Sequence, residues 1–187
     1  MSEMKRKRWA CGVLSVGILV GVAVVGCDDK KGQQAATPAQ PAEALPANLI
    51  VATAPPATAK DVVDARKASD GDEVVVRGRI GGSAKPFVDG RAVFQLVDLE
   101  LKTCDQASPM DDCKTPWDYC CDDKADVFAK SVTVQVVGTG GQPLRAMLDG
   151  VGGLKPMGEV AVKGTVKKSP DGKVVTVNAT ELYVKRG

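Results

Sequence analysis

Histidine is absent from all 187 residues. Its absence removes the commonest general base, the commonest metal ligand and the usual titrating side chain near neutral pH. Nucleophile-base pairings and glycine-rich phosphate loops are missing as well. Excess charge is almost absent too, with 25 Lys+Arg against 23 Asp+Glu. Four of the positive charges sit together at Lys5, Arg6, Lys7 and Arg8, and from Lys60 onward there are 19 of each sign. A neutral body carries no field that would steer it to nucleic acid or to an acidic surface. These absences predict a non-catalytic protein without a cofactor.

The N-terminal basic cluster is followed by an apolar run from Trp9 to Val25, broken only by small residues, and then by Val24-Val25-Gly26-Cys27. Basic, apolar and small-residue regions in that order are the mark of a secretory signal. The final quartet resembles the lipobox of bacterial lipoproteins, departing from the usual pattern only at Val24, where leucine is commoner. That resemblance implies a signal peptide over residues 1–26, cleavage before Cys27 and lipid, palmitate included, on Cys27, with no other cofactor. The basic cluster stays on the cytoplasmic side. The remainder would then face the periplasm or the cell exterior, anchored to a membrane. An uncleaved membrane helix, for which 17 apolar residues is short, gives the same topology.

Residues 27–59 shift to Ala, Pro, Gln and Thr, with Pro38, Pro41, Pro46, Pro55 and Pro56 scattered through them, and predict a disordered tether. Within it, the apolar triplet Leu49-Ile50-Val51 is left either docked on the domain or free. The folded domain is expected over residues 60–187. A short helix is read within residues 58–68 and ends at Ser69-Asp70-Gly71. Glu73 to Ile80 alternates as a strand, with Val74, Val76, Gly78 and Ile80 on one face and Glu73, Arg77 and Arg79 on the other. Further strands are read at Arg91 to Leu101, Ser131 to Val137, Glu159 to Val166 and Lys173 to Val184. A short helix is read from Pro143 to Leu148, between the third and fourth.

Three strands, a helix and two strands resemble the OB-fold, a five-stranded Greek-key barrel. The fold class expected is therefore mainly β, with a cysteine-rich insertion between strands two and three. The resemblance implies binding of oligonucleotides or oligosaccharides on the barrel face, for which Arg77, Arg79 and Phe94 are the candidate contacts. Phe94 is the only aromatic of strands two and three, and an outward location makes nucleic acid an improbable partner. An envelope protein or polymer is the expected class of partner.

The insertion, residues 102–126, carries Cys104, Cys113, Cys120 and Cys121 around the sequence Thr115-Pro116-Trp117-Asp118-Tyr119. In an oxidising compartment the first expectation is two disulfides, contributing about 2–4 kcal/mol each. Pairing Cys120 with its neighbour would need a strained ring. That leaves Cys104–Cys120 with Cys113–Cys121, or Cys104–Cys121 with Cys113–Cys120. The rival is a thiol-redox or metal-handling site, against which two features weigh. The Cys-x8-Cys-x6-Cys-Cys spacing is not that of paired zinc knuckles. Seven aspartates against three lysines over residues 102–126 should also raise the thiol pKa values. The aspartates do not alternate as in a calcium loop. Trp117 and Tyr119 are read either as a recognition tip or as a cover over the cysteines.

Overall fold

Every second residue from Val74 to Ile80 is buried, and this alternation sets the strand that organises the molecule, β3 (Glu73–Ile80). The computed structural model describes residues 41–107 and 113–185. The signal peptide, Cys27 and the first part of the tether lie outside the described residues. The remaining strands are β1 (Ile50–Val51), β2 (Lys60–Asp61), β4 (Val93–Val97), β5 (Ser131–Gln135), β6 (Glu159–Lys168) and β7 (Val175–Val184). Short helices are α1 (Val62–Ala65), α2 (Cys104–Ala107) and α3 (Lys124–Ala129).

β3 pairs antiparallel with β4 and with β6, β4 with β5, and β6 with β7, while β5 and β7 run parallel. The ring β3-β4-β5-β7-β6 closes on itself. It is a five-stranded OB-like barrel, as the strand pattern predicts. Phe94, Leu96, Val134, Val162, Val177 and Leu182 fill its interior with essentially no exposed surface. Each such side chain contributes about 1.5–3 kcal/mol by leaving water. Closure demands sharp bends, and β6 makes one with a register shift between Lys163 and Gly164. Gly164 lies against the Asn178 carbonyl, where no Cβ fits.

Two segments depart from the sequence expectation. Residues 143–148 are not a helix: Leu144, Ala146 and Leu148 are buried in alternation, and Pro143 bridges Val137. The period is two because the segment runs extended, and the helical turn between β5 and β6 is a 3-10 turn at Val151–Gly153. The second departure is within the tether. Leu49 is 1% exposed and belongs to the main core, and Ile50 and Val51 pair in parallel with Leu182 and Tyr183 of β7. The apolar triplet therefore docks, because it supplies both core surface and a partner for a free strand edge. Among the described residues no helix is long and apolar enough to cross a membrane.

Candidate metal centre

Residues 98–130 connect β4 to β5 and hold the four cysteines. The connection is pinned at its start by Asp98, which is 1% exposed; its carboxylate accepts the Val63 N–H at 3.0 Å and the Glu100 N–H at 3.0 Å. α2 begins at Cys104, whose side chain is buried. A 3-10 turn at Pro116–Asp118 is followed by Tyr119 at φ 55°, a left-handed conformation that a bulky residue adopts only when its surroundings enforce it. Here burial enforces it, because the Tyr119 ring packs with Val97, Leu101 and Val127 in a small core separate from the barrel's. The reversed chain then continues directly into Cys120 and Cys121.

The barrel holds this turn through the end of β3. Gly82 N–H donates to the Trp117 carbonyl at 2.8 Å, and Trp117 Nε1 donates to the Ala84 carbonyl at 3.2 Å. A Cβ on Gly81 would stand 2.6 Å from the Trp117 oxygen, so only glycine permits this approach. Arg79 reaches from β3 to donate to the Leu101 carbonyl at 3.3 Å and the Tyr119 hydroxyl at 3.4 Å.

Cys104, Cys113, Cys120 and Cys121 lie together as thiols. Cys120 Sγ lies 3.6 Å from Cys104 Sγ, 3.7 Å from Cys113 Sγ and 3.9 Å from Cys121 Sγ. A bridge needs about 2.05 Å. Ligand atoms of Cys104, Cys113, Asp118 and Cys120 all fall within 4.8 Å of one another. Asp118 already has work for both oxygens: Oδ1 accepts the Cys120 N–H at 2.9 Å, and Oδ2 accepts the Thr115 hydroxyl at 2.8 Å. It shapes the turn, and Cys121, 3.9 Å from Cys120, is the remaining thiol beside this group.

Sulfurs around a tetrahedral ion at about 2.3 Å stand about 3.8 Å apart, the edge of the tetrahedron. The three separations around Cys120 bracket that edge. The pattern differs from the familiar paired knuckles because Tyr119 turns the chain immediately before two adjacent cysteines. One turn thereby places two adjacent thiols, and Cys104 and Cys113 come from the preceding segment.

Cys104 and Cys120 are shifted in opposite directions, and only Cys120 moves up as the acidic loop predicts. Burial opposes a charge on Cys104, but hydrogen bonds from the Cys121 backbone N–H and from the thiols of Cys121, Cys120 and Cys113 outweigh it and bring its pKa below the ordinary value. Cys120 is pushed well up, chiefly because its proton is shared towards Cys104 and then towards Asp118. Asp118 itself is lowered: burial raises it, but the Thr115 hydroxyl and the Cys120 N–H prevail. Burial raises Tyr119 against the pull of Arg79.

The other sequence-predicted contacts are not brought together into a second site. Phe94 is fully buried and packs against Phe87 at 5.8 Å between ring centroids, so it touches no external ligand. Tyr119 is 2% exposed and packs with Val97, Leu101 and Val127 rather than presenting a tip. Arg77 is held by Asp61 at 2.7 Å, and Arg79 is spent on the loop. Trp117 is half-buried on its Ala84 bond. Sequence reasoning missed α3, although Asp123 caps it by accepting the Ala125 and Asp126 N–H groups, and an aspartate before an amphipathic turn is a readable signal. No protein-family profile, curated protein or solved structure matches this chain, so its function rests on the geometry of the centre.

Proposed function

We propose that this protein is a lipid-tethered, non-catalytic domain of the cell envelope that binds a thiophilic metal ion through Cys104, Cys113, Cys120 and Cys121. The observation that carries the reading is the sulfur spacing of 3.6, 3.7 and 3.9 Å around Cys120. Four thiolates favour zinc or copper(I) over harder cations. The lipobox-like quartet ending in Cys27 supports the tether. An outward location exposes thiols to oxidation, and ligation to an ion protects them by occupying the sulfur lone pairs.

Binding of a glycan or other anionic polymer on the barrel has less support, since Arg77, Arg79 and Lys163 all have internal partners. The test uses the full chain with Cys11→Ser and Cys27→Ser, which leaves only the four loop thiols. Titration with cobalt(II) is expected to give the intense thiolate-to-metal bands of one tetrahedral site, lost on Cys104→Ser. Two disulfides in protein isolated without reductant, with no ion taken up after reduction, would overturn the reading.

A further inference from the structure

The four cysteines are not equally enclosed. Cys104 is 1% exposed, Cys113 is half-buried, and Cys120 and Cys121 are exposed. A site that serves only to staple a fold is normally closed by its ligands and shielded by the surrounding chain. This one has a sealed side and an open side.

On the open side, Cys120 borders a cavity of about 460 Å³ between the connection and the end of β3, floored by Gly82 and Ala84 and walled by Phe128. That volume admits a cysteine side chain or a small thiol. Lys124 is the only cation lining it and makes no ion pair among the described residues. The cavity therefore joins a metal ligand to an uncommitted positive charge. Cys120 is exposed and lines the cavity, so release of its bond would open the coordination sphere on that side.

We infer that the centre is a transfer site, in which a thiol of a partner enters through this cavity, displaces Cys120 and takes the ion. The inference rests on the metal-binding reading above. The incoming sulfur forms a bond to the ion as the Cys120 bond breaks, and the proton of the incoming thiol passes to Cys120; further thiols of the partner then replace the other three cysteines in the same way, each returning its proton to the sulfur it displaces. The ion keeps its charge, and no electrons are exchanged. Lys124 draws in an anionic thiol and stabilises its thiolate. Cys104, the buried thiol, stays bound longest.

The test loads the full chain carrying Cys11→Ser and Cys27→Ser with cadmium(II), then follows loss of the thiolate-cadmium absorption on adding glutathione, an anionic thiol. The expected rate rises in proportion to glutathione. Lys124→Ala should slow it about three- to tenfold at low salt, with a smaller effect when neutral 2-mercaptoethanol replaces glutathione. Ser83→Trp, which fills the cavity, should slow both thiols. A rate independent of thiol concentration, or one that neither substitution changes, would overturn the transfer role while leaving the metal centre intact. Failure to load cadmium at all would defeat the metal-binding reading and the transfer role with it.

Discussion

The barrel and the connection over residues 98–130 are built on different physics. The barrel closes a ring of paired strands around an apolar interior contributed by every strand from β3 to β7, and it needs no chemistry beyond burial. Among the described residues the connection has a small apolar core, Leu101, Tyr119 and Val127 packed on Val97 of β4. Ordering a chain costs roughly 1–2 kcal/mol per residue in backbone entropy, so four side chains cannot hold so long a segment unaided. Specific polar bonds to Asp98, Asp118, Arg79 and Gly82 supply part of the difference, and the sulfur cluster supplies the rest when it is tied together. The barrel should therefore be stable under any redox or metal condition, and the connection only under some.

The largest blow to that contrast comes from within the barrel. Phe94→Ala removes a fully buried ring and should cost about 3–5 kcal/mol, read as a drop in the urea midpoint of the whole domain with or without metal. If the loss vanished on adding metal, the two regions would be one cooperative unit. Metal itself should act on the connection next: free ion at a hundredfold over its dissociation constant stabilises the bound form by about 2.7 kcal/mol. Limited proteolysis within residues 98–130 should slow accordingly while hydrogen exchange in β6 and β7 stays the same.

Asp98→Ala sits between the regions, since it strands the Val63 and Glu100 N–H groups. It should cost about 1–3 kcal/mol and loosen α1 together with the start of the connection. The smallest effect belongs to pH. Asp70, held below the usual carboxylate range chiefly by the Lys168 backbone N–H, contributes stability above its unfolded-state pKa that is lost as pH falls through the lower folded value. Asp70→Asn should flatten the acid limb of the stability curve slightly and leave metal uptake unchanged.

The readable parts of the sequence were those governed by period and turn chemistry. Val74, Val76, Gly78 and Ile80 face inward as alternation requires, and Ser169-Pro170-Asp171-Gly172 makes its hairpin turn. The extended segment at Leu144, Ala146 and Leu148 was misread because three apolar residues over five positions fit a helical turn nearly as well as an extended run. The four cysteines drew notice from their density alone. Their individual shifts do not follow from net charge alone, because local hydrogen bonds outweigh burial at Cys104 and lower it, while those at Cys120 raise it.

By itself the sequence determined the β character of the domain, the faces of its strands, the lipobox-like quartet and the presence of four clustered thiols, since each depends on residues near one another in the chain. Tertiary structure decided what those thiols are to one another. The left-handed turn at Tyr119 exists only because its ring is buried beside Val97, Leu101 and Val127, and because Gly81 lets the Trp117 carbonyl come close. Both contacts join residues far apart in sequence, and sulfur separation depends on them directly.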